Sequence, residues 1–263
     1  QNNKPQTEES SLEVLKQQLR TKTSKIRNIS VIAHVDHGKT SLVDSLVSYN
    51  NIINPRLAGL IRYMDSLPDE QERCITMKTS SISILYNSDR LNENYLINVI
   101  DSPGHIDFSS EIFTAINVCE GGLLVIDVVE GICSQTISVL KQAWTENIRL
   151  ILVFNKLDRL ITEIKLTPLE SYEHLYLLLE KVNAIMSSLI DSGVNILKDQ
   201  QKDTEKYLEE KEREMYFSPE KGNVVFASAI DSWAFSLDNF ADIWSKKLSI
   251  DKDLMLSKLW GSH

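Results

Sequence analysis

From about Ile26 onward, short runs of strand-forming apolar residues alternate with stretches whose apolar positions recur every three or four residues. The runs fall at residues 27–32, 81–86, 95–100, 122–129, 150–154 and 223–227. Between them Ile112, Ala115, Ile116 and Cys119 stand at i, i+3, i+4 and i+7, and Ile137, Leu140 and Trp144 repeat that spacing. Each set predicts a helix packed on a sheet. Such alternation predicts an α/β fold with a mostly parallel central sheet and helices on both faces. Residues 161–221 are long for one connection and predict a helical insertion before the last strand. Leu175, Leu178, Leu179, Val182, Ile185, Met186 and Leu189 share one face of that helix, which Gly193 is expected to end. The dense mixed charge of residues 198–214 reads as solvated surface. Past the last strand, Leu237, Phe240, Ala241, Trp244 and Leu248 form a further core-facing stripe, with Leu254, Leu256, Leu259 and Trp260 beyond. Residues 1–24 form a polar tail with a short helical pattern at Leu12, Val14, Leu15 and Leu19.

Composition narrows the setting without naming the chemistry. No run of about 18 apolar residues occurs and the N-terminus lacks a hydrophobic signal region, so insertion into a membrane and secretion are not expected. Three cysteines, Cys74, Cys119 and Cys133, lack metal-ligand spacing and fit a reducing, cytoplasmic setting. A net charge of −9 argues against purely electrostatic wrapping of nucleic acid, while docking on a ribonucleoprotein through local patches stays open. The sequence starts without Met, and a trimmed, monomeric piece of a longer protein is expected.

The chemistry enters at residues 33–40, Ala33-His-Val-Asp-His-Gly-Lys-Thr40, set between a strand pattern and a helix pattern. Strand, loop and helix in that order make a phosphate cradle: backbone N–H groups and the positive helix end face phosphate oxygens, Lys39 adds a full charge, and the Thr40 hydroxyl can ligate Mg²⁺. Asp101-Ser-Pro-Gly-His105 stands at the C-terminal end of a strand, where a carboxylate lies over the ligand crevice. Asp101 can reach the Mg²⁺ shell there, and Gly104 leaves its N–H free for a γ-phosphate, which makes the segment nucleotide-sensitive. Asn155-Lys-Leu-Asp158, at another strand end, offers a carboxylate for guanine N1–H and N2–H₂, donors that adenine lacks as a pair. Lys156 can lie along the base, Asn155 can tie its loop to the phosphate loop, and Ser228-Ala229 can offer a backbone N–H to guanine O6. Together these residues predict a P-loop NTPase domain that selects guanine. His34, Asp36 and His37 carry zinc-ligand types, but a phosphate loop turns its backbone rather than these side chains to one point, so no zinc site is expected from that trio.

These motifs resemble those of translational GTPases of the elongation factor 2 and G type, together with Asp69-Glu-Gln-Glu-Arg-Cys-Ile-Thr76 and Asp107-Phe-Ser-Ser-Glu111. The resemblance covers nearly all of the chain from Ile26. It implies that Ala33, His34, Val35, Asp36, His37, Gly38, Lys39, Thr40 and Ser41 surround GTP or GDP, and that Thr76 meets Mg²⁺ only in the GTP state. It further implies that His105 positions the attacking water, that Val35 and Ile75 gate it, and that Asp36 holds a monovalent cation, K⁺ or Na⁺. Ala33 and Cys74 stand where many relatives carry Gly, a departure shared with elongation factor 2 itself.

Peripheral segments narrow the resemblance further: Arg62-Tyr-Met-Asp-Ser66, Met77-Lys78, Asp158-Arg-Leu160 and residues 216–226 are similar to the elongation-factor-like GTPases of ribosome biogenesis. That similarity implies a cytoplasmic GTP hydrolase acting on the large ribosomal subunit, releasing eukaryotic initiation factor 6 together with the Shwachman-Diamond syndrome protein. A translocase of the elongation factor 2 kind and a nucleotide-responsive binding module with little hydrolysis are the alternatives. Further domains are expected downstream of residue 263.

Overall fold

A computed structural model of the chain describes residues 16–17, 19–54, 56, 62–73, 75–88, 91–104, 109–197 and 213–260. Of the positions singled out above, Leu12, Val14, Leu15, Cys74, His105, Asp107 and the charged stretch 198–212 lie outside them.

The first strand, β1 (Ile26–Ala33), is followed by α1 (Lys39–Tyr49) and the short α2 (Pro68–Arg73). β2 (Ser80–Ser88) and β3 (Glu93–Asp101) make a hairpin, then come α3 (Ser109–Asn117), β4 (Gly121–Asp127), α4 (Ser134–Thr145) and β5 (Arg149–Asn155). α5 (Asp158–Thr162) and the long α6 (Pro168–Leu197) lead to β6 (Val224–Ser228), β7 (Trp233–Ser236), α7 (Leu237–Leu248) and α8 (Lys252–Leu259). The seven strands form one sheet in the order β2-β3-β1-β4-β5-β6-β7, parallel except for the antiparallel edge strands β2 and β7. This is the mostly parallel α/β architecture of a P-loop domain, and its chain reversal between β1 and its two neighbours opens a crevice at the strands' C-terminal ends.

Strand alternation sorts the core by size. Ile32, Leu124, Ile126, Leu152, Phe154 and Phe226 point to the face covered by α3, α4 and α6. Val31, Ala33, Val125, Val153 and Ala227 point to the opposite face, under Val43 and Val47 of α1. The phosphate-loop helix therefore rests on a thin layer of Val and Ala. The crossover α6 is part of the core: Leu175, Leu178, Leu179, Val182 and Met186 are buried, and the Asn183 amide pins the returning chain by bonding both the N–H and the carbonyl of Phe217, each at 2.9 Å. Pro at its first position and the reciprocal Thr167 and Glu170 bonds start this helix. Among the described residues no helix is long and apolar enough to cross a membrane.

Local expectations fail where tertiary contacts overrule them. β4 stops at Asp127 rather than Val129, because the Asp127 carboxylate and carbonyl take the N–H groups of Val129 and Gly131, both at 2.8 Å, and close a turn. α6 runs through Gly193. On α4 the inward face is Thr136, Val139, Leu140 and Ala143, while Ile137 is 42% exposed. The sheet beneath already carries Ile32, Leu124 and Ile126, which leaves room for Val and Ala. On α7 only Leu237 and Ala241 are buried, with Trp244 and Leu248 turned outward. β7 extends the sheet beyond β6, so the helical crossover precedes the last parallel strand rather than the last strand.

Candidate nucleotide-binding site

β1 delivers the chain at Ala33, and α1 begins six residues later; the loop between them must turn back tightly. Asp36 and Gly38 adopt positive φ, 61° and 86°. At Gly38 a Cβ would stand 2.4 Å from Asn155 Nδ2, so both conformation and space demand glycine. The Leu42 N–H bonds the Gly38 carbonyl at 2.9 Å, while no side chain caps the first turn of α1. Those first-turn amides and the positive helix end thus face the crevice available to an anion.

Lys39 is buried and ion-pairs with Asp101 at the end of β3; its Nζ is also 3.5 Å from Thr76 Oγ1. Thr40 Oγ1 lies 3.2 Å from Thr76 Oγ1, which donates to Asp65 Oδ1 at 2.8 Å. Arg62 Nε in turn contacts Asp65 Oδ2 at 2.5 Å. Burial pushes the Asp101 carboxyl above its ordinary range, Lys39 opposes that rise, and Asp65 adds to it. Asp101 Oδ2 is buried without a hydrogen-bond partner. An oxygen left so is costly unless a cation or its water occupies it, and with two hydroxyls nearby the donor set is the oxygen set Mg²⁺ prefers. Together with His34, Val35, Asp36, Gly38, Ser41, Arg62, Ile75, Gly104 and Lys156, residues Lys39, Thr40 and Thr76 line a cavity of about 220 Å³.

Glu70 holds Thr76 in place from behind. Its Oε1 accepts from the N–H groups of Met77 and Lys78, each at 2.9 Å, and its Oε2 from Leu67 at 2.9 Å. Burial raises this carboxyl, but the three amides outweigh burial and leave it below its ordinary 4.5. A depressed pKa means that the contribution is present at neutral pH and is lost as pH falls below about 4.5 toward the folded value. Glu70→Ala is expected to speed amide exchange at Met77 and Lys78 by about 10-fold or more, one lost charge-assisted bond's worth. Measured as protection relative to the intrinsic exchange rate at each pH, acidification should lower protection of these amides in the unmutated chain but leave it unchanged in the variant; equal exchange in both proteins at neutral pH would refute the clamp.

The base end is built on β5 and β6. Asn155, fully buried, donates to the His37 carbonyl at 2.9 Å and accepts from the Ala229 N–H at 3.0 Å, joining the phosphate loop to the loop after β6. That bond occupies the Ala229 N–H, one of the two backbone N–H groups of Ser228-Ala229 that the sequence offers for guanine O6. Asp158 Oδ1 lies 2.9 Å from Ser228 Oγ, itself 2.8 Å from Asp231 Oδ2. Lys156, at φ 62°, donates to the Asp36 carbonyl and sits 2.8 Å from Asp127 Oδ2. Asp127, fully buried, also takes Arg159 Nη1 at 2.5 Å; burial raises its carboxyl, but Lys156 and the Val129 amide bring it below its ordinary range. Arg159 is held by a two-pronged pair with Glu163 at 2.5 and 3.0 Å.

Of the residues expected at the site, His34, Val35, Asp36, Gly38, Lys39, Thr40, Ser41, Thr76, Gly104 and Lys156 line the cavity, while Ala33, His37, Asp101, Asn155, Asp158, Ser228 and Ala229 are not among its walls. Asp36 is exposed at the rim and His105 lies outside the described residues. Asp65, Glu70, Asp127 and Arg159 were missed. For Asp127 a signal existed, since it ends a parallel strand as Asp101 does.

The sequence matches the family described as the elongation factor Tu GTP binding domain over residues 24–254. It is 50% identical to human elongation factor-like GTPase 1 across 94% of the chain and 23% of that relative. It is 48% identical to ribosome assembly protein 1 of Schizosaccharomyces pombe, across 90% of the chain and 24% of that protein, and 46% identical to its Saccharomyces cerevisiae namesake, across 92% and 23%. The chain thus spans about a quarter of the length of the curated relatives it matches. With a family match over most of its length and the family's loops converging on one crevice, the chain belongs to the elongation factor Tu GTP-binding domain family.

Proposed function

We propose that this domain binds GTP with Mg²⁺, hydrolyses it to GDP and phosphate when a large ribosomal subunit engages it, and acts in cytoplasmic maturation of that subunit. One observation carries the catalytic half: Lys39, Thr40, Thr76 and Asp101, from three separate segments, meet beside the uncapped start of α1. The first-turn amides and Lys39 would hold the β- and γ-phosphates, with Gly104 N–H near the γ-phosphate. The Thr40 and Thr76 hydroxyls, and Asp101 through water, would hold Mg²⁺, which draws off the charge growing on the phosphate oxygens. Asp158 would read guanine, steadied by Ser228, with Lys156 along the base. His105 would orient the attacking water behind Val35 and Ile75, and Asp36 would hold a monovalent cation. Arg62, which lines the cavity, is committed to Asp65, so turnover of the isolated chain is expected to be slow, on the order of 10⁻⁴ to 10⁻² s⁻¹.

Maturation rather than translocation is favoured by relatives named ribosome assembly protein 1. Release of eukaryotic initiation factor 6, with the Shwachman-Diamond syndrome protein as co-factor, is the finer reading carried by the peripheral motifs. The test is GTP turnover of the full-length protein with and without large ribosomal subunits. Stimulation is expected, and His105→Ala should lower the stimulated rate by about 10²-fold with little change in GDP affinity. Equal rates with and without subunits, or an unaffected His105 variant, would remove the reading.

A further inference from the structure

The walls of the nucleotide cavity include His34, Asp36 and Gly38, but not His37 between them. The His37 ring is fully buried and packs against the loop after β4. Its Nε2 is 3.3 Å from Glu130 Oε2 and 3.7 Å from Cys133 Sγ, and one donor atom from each residue falls within 4.8 Å of the other two. A tetrahedral zinc ion with bonds of about 2.0 Å to N and O and about 2.3 Å to S has N–O edges of about 3.3 Å and N–S edges of about 3.5 Å. The two edges at His37 lie within about 0.2 Å of these values.

The surroundings suit ligation as well. A metal-bound histidine needs its other nitrogen protonated and held. The opposite side of this ring meets the edge of β4 where that strand outruns β1: the Asp127 N–H is 3.3 Å from Nδ1, and the Val125 carbonyl also hydrogen-bonds the ring. Either tautomer therefore finds a partner, the free ring accepting from Asp127 and a ligating ring donating to Val125. Cys133 is the N-cap of α4, and its sulfur already accepts the backbone N–H of Thr136, a bond that also steadies a thiolate. Glu130 is 43% exposed on its side chain, so an ion has a path in and solvent can take a fourth position.

We propose that His37, Glu130 and Cys133 form a three-ligand site for one zinc-class divalent cation behind the phosphate loop. Binding replaces the Cys133 S–H bond with a metal–sulfur bond and releases that proton to solvent. It fastens the middle of the phosphate loop to the loop between β4 and α4 through His37, Glu130 and Cys133. The site is separate from the oxygen cluster of Thr40, Thr76 and Asp101: a thiolate and an imidazole select a softer ion than Mg²⁺.

The experiment is a titration of chelator-stripped protein, kept in excess Mg²⁺ and GDP, with Co²⁺ as a coloured probe and then Zn²⁺ as competitor. One equivalent of Co²⁺ should bind, with a near-ultraviolet thiolate-to-metal band and visible bands of a four-coordinate ion, and Zn²⁺ should displace it. Cys133→Ser should abolish the near-ultraviolet band, and Glu130→Gln, a surface change, should weaken binding by at least about 10-fold. Cys74→Ser and Cys119→Ser should leave both signals intact. No saturable binding in a protein that melts cooperatively, or binding and colour that survive Cys133→Ser, would overturn the site. A Cys133 that oxidises readily yet takes up no metal would overturn it too.

Discussion

Asp158→Ala is expected to lower affinity for GDP and GTP by about 10²- to 10⁴-fold while leaving the weak binding of ATP nearly unchanged. The range follows from two hydrogen bonds to a charged acceptor at about 1.5–3 kcal/mol each. Part of the effect comes from pre-organisation. The carboxylate is already positioned by Ser228 Oγ at 2.9 Å, and the loop that carries it is tied to its neighbour by the Leu157 N–H bond to the Ala227 carbonyl at 3.2 Å. Ser228→Ala should therefore show a smaller loss of the same kind, near 10-fold. Equilibrium titration with fluorescent guanine and adenine nucleotides measures both. A parallel fall for both bases would mean that Asp158 maintains the loop rather than reads the base.

Lys39→Ala should have the largest effect on turnover, on the order of 10³-fold or more, the scale at which removing a positive charge from the transferring phosphoryl group is felt. The same change leaves Asp101, fully buried, without its cation. Breaking a buried pair from one side costs about 3–5 kcal/mol. At roughly 2–4 °C per kcal/mol for a domain of this size, the melting point should drop by about 10 °C. The double variant Lys39→Ala with Asp101→Asn removes the orphaned charge, so it should recover most of the melting point while turnover stays lost. If turnover returned with stability, Lys39 would be a folding residue and the phosphate assignment would fail.

The parts of this site that could be read from the sequence are those in which function is local. A phosphate loop must be a tight turn between a strand and a helix, and residues 33–40 carry that in eight consecutive positions. Asp101 and Asn155 to Asp158 stand out as candidates because the crevice of a parallel sheet lies at strand ends. Two of the carboxylates that hold the frame, Glu70 and Asp65, could not be found this way. Glu70 gathers amides from both sides of itself, and Asp65 reaches Thr76 across a loop whose path only the packed structure defines. The same limit explains the helix faces. The spacing of Ile137, Leu140 and Trp144 is a valid helical stripe, yet the sheet's large residues turned a neighbouring stripe inward. β7 was invisible because four residues against an edge strand carry too little pattern to register.

The unequal thickness of the two faces of the sheet has its own consequence. A methylene added among Leu152, Phe154 and Phe226 meets a deep layer of interlocking side chains, and the error spreads as ordinary loss of stability. One added at Ala33 or Ala227 meets α1 with nothing soft between them. The whole helix must then ride outward, carrying its first-turn amides away from any bound anion. Two substitutions of equal volume would thus be registered by different assays, one by heat and the other by ligand, and natural variation at Ala33, Val125 and Ala227 should be held to a narrower range of sizes than at their large counterparts across the sheet.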